Sequence, residues 1–202
     1  MPLTRKHLPA DVRRAVTVKA VIELAALQNP RDITTAAIAR HMNVTQGALF
    51  RHFANKEAIW QAVMEWVSDH LLKPIDASIN EAETPLSALR AVFMSHINFV
   101  ATYPGVPRMM FGEMQHSENT APRQRACSIV KKYGDRIILL IEQGKQEGQI
   151  DPKVDSQAAR TLFIGSIQGL VMQSILTGEM KNITEKASDV FAIYRRGIEN
   201  TQ

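Results

Sequence analysis

Two hydrophobic staples eleven residues apart constrain this chain more than any other feature. Both lie in the stretch Ile33 to Phe53, ITTAAIARHMNVTQGALFRHF. In the first, Ile33 precedes Thr34 and Ile38 takes the fourth helical position. In the second, Val44, Thr45 and Leu49 repeat the arrangement. Each threonine hydroxyl can N-cap a short helix by accepting an orphan backbone N–H, and each apolar pair fixes the angle at which the chain enters. Asn43 falls where the chain must turn, and asparagine tolerates the left-handed conformation better than other non-glycine residues. Ala39 is small where a second helix must cross closely. The spacing predicts a helix-turn-helix, a unit whose second helix typically enters the major groove of DNA.

The motif continues into Arg51-His52-Phe53-Ala54-Asn55-Lys56-Glu57-Ala58-Ile59. The whole run TTxxIAxxxxVTxGALFRHFxxKEAI resembles the TetR family of bacterial transcriptional regulators. The likeness in motif covers roughly residues 10 to 70, and beyond them it is one of architecture. It implies an all-α fold with a three-helix helix-turn-helix DNA-binding domain over 10–70 (motif about 34–53). A helical effector-binding and dimerisation domain is then expected over 71–202.

Site roles carry over from the resemblance by position. Thr34 and Thr35 open the first motif helix, where family members hold a phosphate. Thr45, Gln46, Gly47 and Ala48 begin the recognition helix and face the bases. Gln46 is the best base reader among them, because its amide can bond adenine twice. Gly47 lets the backbone sit close to the duplex. His52 and Lys56 match phosphate-contacting positions. Phe50 departs from the family's usual tyrosine, so it can only pack against sugar or a thymine methyl, with Arg51 able to supply the missing phosphate contact.

Charge agrees with this placement. The 202-residue chain has net charge +4. Residues 1–58 carry +5 of it and the remainder −1. The positive excess lies with the motif, as phosphate attraction requires. With 45% apolar and 22% charged residues the composition is that of an ordinary globular protein. The single cysteine, Cys127, excludes an intrachain disulfide and reads as a small buried hydrophobe in a reducing compartment. The basic, polar N-terminus has no apolar signal segment. The uncharged stretch Thr161 to Thr177 is shorter than the ~20 apolar residues of a spanning helix. The expectation is a cytoplasmic protein with no membrane partner.

Apolar spacing is helical nearly everywhere. A first helix is expected from Ala10 to Gln28, with Val16, Ala20, Leu24 and Leu27 as its inner face. Asn55 is a plausible N-cap for a long fourth helix that Pro74 ends or kinks. A fifth helix starts at Thr84-Pro85 and stops at Tyr103-Pro104-Gly105. A short methionine-rich helix follows, then three more opened near Arg123, Asp155 and Thr184.

For a small, mainly hydrophobic effector, the candidate lining is Trp66, Phe93, Phe99, Tyr103, Met109, Met110, Phe111, Met114 and Tyr133. Methionine suits adaptable apolar sites, although any one of these residues reads as core. For a homodimer interface, Ala158, Leu162, Gly165, Gly169 and Met172 form a seam of small and apolar residues. Phe191, Tyr194 and Ile198 form a stripe on the last helix. Close packing inside the chain would explain that seam equally well, and the resemblance favours the dimer.

With these features the resemblance implies a regulator, a repressor by the family's usual direction, that binds a palindromic double-stranded DNA operator as a homodimer and is released by the effector. Two other readings compete with it. One is a DNA-binding helical protein without a small ligand. The other is a helical-bundle metal enzyme built on Glu113-x-x-His116, the spacing used in di-iron bundles. That chemistry needs a second copy and two more inward carboxylates, and no second Glu-x-x-His occurs in the sequence. No cofactor motif, Gly-rich phosphate loop or nucleophile elbow occurs, so no enzyme activity is expected.

Overall fold

A computed structural model describes residues 9–178 and 182–201. Nine α-helices make up almost all of the described chain. They are α1 (Ala10–Leu27), α2 (Thr35–His41), α3 (Gln46–Phe50), α4 (Lys56–Glu81) and α5 (Pro85–Thr102), then α6 (Gly105–Met114), α7 (Ala121–Gln146), α8 (Ser156–Thr177) and α9 (Ile183–Ile198). A 3-10 turn, Pro30–Asp32, links α1 to α2.

The chain divides into two compact units. Unit 1 holds residues up to Val67 and also Tyr103–Cys127; unit 2 holds Ser68–Thr102 and Ser128–Gln202. The first unit therefore contains α6 and the start of α7 in addition to the N-terminal helices expected there.

In unit 1, α1 is crossed by α6 on one side and by α2 on another. Its buried residues are Thr17, Val18, Ala20, Val21, Ile22 and Ala25. The expected inner face is corrected by this: Val16 and Leu27 are exposed, because two partner helices turn a different arc of α1 inward. Gly105 makes the α1–α6 crossing possible. A Cβ there would overlap the carbonyl oxygen of Ile22 and lie 2.8 Å from the backbone nitrogen of Ala26.

Pro74 lies inside α4, which continues to Glu81. The ring removes one backbone donor, and helix on both sides carries the segment through, with the Ser78 hydroxyl donating to the Pro74 carbonyl at 2.8 Å. In unit 2, α5, α8 and α9 pack on one another. The core is aromatic: Phe93 meets Phe163 edge-on at 5.3 Å and Phe191 at 5.4 Å. Asp76 and Arg136 form a two-point ion pair (2.5 and 2.8 Å) between α4 and α7. The end of α9 is tied to the α7–α8 loop through Asp151 N–H to the Ile198 carbonyl at 3.0 Å and Asn200 N–H to the Gln149 carbonyl at 2.9 Å. The Asp155 carboxylate caps α8 by accepting from Ala158 N–H at 2.7 Å.

The expected dimer residues separate into two groups. Phe191, Tyr194 and Ile198 are buried inside unit 2, so the α9 stripe is intrachain core, where α5 and α8 already cover it. Ala158, Leu162, Gly165, Gly169 and Met172 stand exposed on α8, with Leu176 continuing the row.

Candidate nucleic-acid interface

The two threonine caps form as their spacing requires. Thr34 Oγ1 accepts from Ala37 N–H at 3.1 Å and Thr45 Oγ1 from Ala48 N–H at 3.2 Å. Asn43 takes the left-handed conformation at φ 55°. The next amide, Val44 N–H, donates back to the Ala39 carbonyl at 2.9 Å. Ile33, Ile38, Ala39, Leu49 and Phe53 are all buried, which fixes α2 against α3 and leaves the opposite side of α3 to solvent. Asn55 caps α4 by accepting from Ala58 N–H at 2.8 Å.

On that open side Thr45, Gln46, Gly47, Phe50 and Arg51 are exposed, while Ala48 is half-buried. A Cβ at Gly47 would meet only the Thr45 hydroxyl, at 3.9 Å. Nothing inside the chain thus requires glycine here, and the bare backbone faces outward. Gln46 is engaged in this state: its Nε2 donates to Thr35 Oγ1 at 3.0 Å. Two-point contact with an adenine would need that bond released.

Lys56 is half-buried, and its ammonium lies 4.6 Å above the Trp60 ring. Burial lowers its pKa, and the carboxylates of Glu113 and Asp32 oppose the shift. The ring holds the cation at the start of α4. His52 is half-buried, and its carbonyl accepts from Arg14 Nη1 at 2.8 Å while the Arg14 guanidinium covers Phe53 at 4.5 Å. Arg14 therefore clamps α1 onto the end of the motif. Sequence reasoning missed this role, since a basic pair at a helix start carries no sign of an inward turn. His41 Nε2 and Glu23 Oε2, 2.8 Å apart, tie α2 to α1 in the same way.

Behind Lys56, unit 1 has a cleft of about 650 Å³ lined among others by Arg31, Trp60, Glu113, His116 and Thr120. Glu113 is buried there, and burial raises its pKa against the smaller pull of His116 and Lys56. The folded chain thus holds this proton more tightly than the unfolded chain does. The stability it contributes is full below the ordinary carboxylate range and is lost as pH rises through the folded value. Glu113→Gln is expected to raise the melting temperature at pH 8 by about 2–4 °C, for a penalty of order 1 kcal/mol, and to change little at pH 4. Paired melting curves at the two pH values check this.

The nine residues expected around an effector do not gather in one unit. Trp66, Tyr103, Met109, Met110, Phe111 and Met114 belong to unit 1, where Trp66 and Tyr103 meet edge-on at 4.9 Å and Met109 is core against α1. Phe93, Phe99 and Tyr133 belong to unit 2. The crossing at Gly105 explains the division, because it places the methionine helix with the N-terminal helices.

Residues 17–63 match the family model for bacterial regulatory proteins of the tetR family, and residues 65–197 match that for the C-terminal region of YsiA-like proteins. The chain belongs to the TetR family. Among curated relatives, the nucleoid occlusion factor SlmA of Idiomarina loihiensis is 25% identical over 176 residues, covering 87% of this chain and 90% of that one. The SlmA of Vibrio cholerae is 26% identical over 159 residues, covering 78% and 81%. Among solved structures, the regulator FadR from Bacillus subtilis, in complex with stearoyl-CoA, aligns with a TM-score of 0.79 and 22% identity over 91% of this chain and 98% of that one. FadR from Bacillus halodurans aligns with a TM-score of 0.80 and 19% identity over 95% and 97%. As a TetR-family member the chain is a transcription regulator with a DNA-binding helix-turn-helix. Among the described residues no helix is long and apolar enough to cross a membrane.

Proposed function

We propose that this regulator is a cytoplasmic repressor that binds a palindromic operator as a homodimer and is released by a small, mainly hydrophobic effector held in its second unit. The observation that carries the reading is the open face of α3, where Gly47 presents bare backbone between exposed Thr45, Gln46 and Phe50. Such a surface suits insertion into a major groove. The charge of +5 over residues 1–58 supports it. Gln46 reads a base after leaving Thr35, and Lys56 exchanges the Trp60 ring for a phosphate. The exposed row on α8, from Ala158 to Met172, supplies the dimer contact. The effector is a molecule with a long apolar part; the fold shared with a regulator crystallised with stearoyl-CoA is in keeping with that class.

The test is a pair of variants measured on an operator selected from random DNA. Gln46→Ala is expected to cost about 1–3 kcal/mol and to relax base preference at one position per half-site. Lys56→Ala is expected to weaken binding to all sequences alike and to reduce its salt dependence. Binding curves at several salt concentrations separate the two effects. Parent-like binding by both variants would remove α3 from the groove.

A second reading is a DNA-binding protein without a small ligand, with a role of the kind that the name of the SlmA relatives, nucleoid occlusion factor, states. In that case operator affinity would stay constant across an effector screen.

A further inference from the structure

The cleft behind Lys56 lies wholly within unit 1, and it holds a group that folding alone does not account for. Glu113 is 8% exposed and lines the cleft, so the little of it that solvent reaches opens there. Its carboxylate has no hydrogen-bond or ion-pair partner among the described residues. His116 and Lys56 act on it only at a distance, and burial outweighs their pull. Buried carboxylates are ordinarily paired, because an unpaired one is desolvated without return. Glutamine would serve the fold better here at pH 8, as the expected effect of Glu113→Gln states. Local rules of this kind are broken chiefly at functional sites.

Trp60 supplies a second, independent observation. It is 7% exposed and lines the same cleft. The Lys56 ammonium stands 4.6 Å from its ring centroid, so a primary ammonium is already seated on this aromatic face. Glu113 and Asp32 both attract Lys56 without reaching ion-pair distance of it. With Lys56 turned out to a DNA phosphate, the ring is bare. Arg31, exposed on the rim, then faces the carboxylates of Glu57 and Glu113 in the lining, with Asp32 beside it. Arg123, whose enclosed Nε also lacks a partner, follows Pro122 of the lining but is not among the charges acting on Glu113.

We propose that this cleft is a second small-molecule site, for a protonated primary amine or guanidine whose N–H groups donate to the Glu113 carboxylate while its cation rests on the Trp60 ring. The site goes beyond the proposed function and takes from it only the phosphate role of Lys56. At about 650 Å³ the cleft is of ordinary ligand-site size. Pro30, Pro122 and the bare backbone of Gly112, where a Cβ would meet nothing within 4 Å, wall the body of the ligand. A quaternary ammonium would satisfy the ring but bring no donor to Glu113. The ligand and Lys56 exclude each other, since both use one ring face. Operator DNA draws Lys56 away and opens the site, so the amine binds the DNA-engaged arrangement better. By reciprocity it strengthens operator binding, the opposite sign to a releasing effector.

The experiment uses the full chain with phenethylamine and phenethylguanidine. One control is trimethyl(phenethyl)ammonium, which keeps the charge without an N–H; the other is 2-phenylethanol, which keeps the shape without the charge. Titration calorimetry at pH 8 without DNA is expected to show the amine or the guanidine binding about tenfold or more tighter than both controls. Glu113→Gln, which should melt no lower than the parent at that pH, should lose the preference. Lys56→Ala should bind the amine severalfold tighter, because the competing ammonium is gone. Saturating amine should tighten operator binding by the parent about fivefold or more, the low end of ordinary coupling, and should not tighten it for Lys56→Ala. Failure of both cations to bind would overturn the site, as would equal binding of the trimethylated control or a preference kept by Glu113→Gln. Unchanged or weaker amine binding in Lys56→Ala would overturn the shared ring face. A bound amine that leaves operator affinity unchanged or lowers it would overturn the coupling. Because the calorimetry contains no DNA, parent-like operator binding by Lys56→Ala would sink the phosphate role of Lys56 and leave the amine site standing.

Discussion

Gly105→Ala is expected to destabilise unit 1 by about 3 kcal/mol, at the upper end of what overpacking costs. Its melting transition should fall by roughly 6–12 °C. The added methyl would collide with the Ile22 carbonyl and approach the backbone of Ala25 and Ala26. Backbone cannot swing aside as a side chain can, so α6 must lift off α1. The packing of Met109 and Val106 is then loosened as well, since both are buried on α6. A control lies on the same helix: at Gly112 a Cβ would meet nothing within 4 Å. Gly112→Ala should be neutral or stabilise by up to about 1 kcal/mol, because alanine loses less backbone entropy in a helix. Circular dichroism melts of the two variants, with operator binding alongside, test the argument. Equal stability of the two would mean that the crossing is not as close as drawn.

Gly165→Glu is expected to do the opposite: to leave the subunit folded and remove the proposed dimer. Among the described residues nothing outside the helix's own nearby backbone lies within 4 Å of a Cβ at Gly165 or at Gly169, and Leu162, Met172 and Leu176 are exposed along the same row. A glutamate therefore meets only solvent in the single chain, and it favours helix more than glycine does. Against a second copy of α8 it would bury an unpaired charge, which a packed interface does not tolerate. Light scattering should report a folded monomer with parent-like helix content. Operator affinity should fall about 10²- to 10⁴-fold, the advantage that linking two half-site binders confers. A folded dimer of this variant would move the interface to another face.

These two glycines also mark where reading the sequence stops. Tyr103-Pro104-Gly105 reads as the end of a helix, and α5 does end at Thr102. Gly165 and Gly169 read as the place of a close helix crossing. The intrachain crossing is at Gly105 instead, while the α8 pair faces outward.

What the sequence determined by itself is the part governed by contacts a few residues long. Thr34, Thr45, Asn55 and Asp155 cap their helices by accepting from amides three residues on. Asn43 and Gly148 turn the chain at positive φ. Both threonine caps of the motif form, and the helix-turn-helix follows from them because side chain and backbone partner are close in the chain. Tertiary structure alone decided the rest. Helical periodicity marks an apolar stripe without naming what covers it, and α1 and α8 are apolar on more than one side. Val16 and Leu27 are therefore exposed where inner residues were expected, and Phe191, Tyr194 and Ile198 are enclosed where an interface was expected. The methionine helix joined α1 for the same reason, since one glycine eighty residues away allowed the approach. The inward turn of Arg14 onto the His52 carbonyl likewise depends on partners brought together from distant helices.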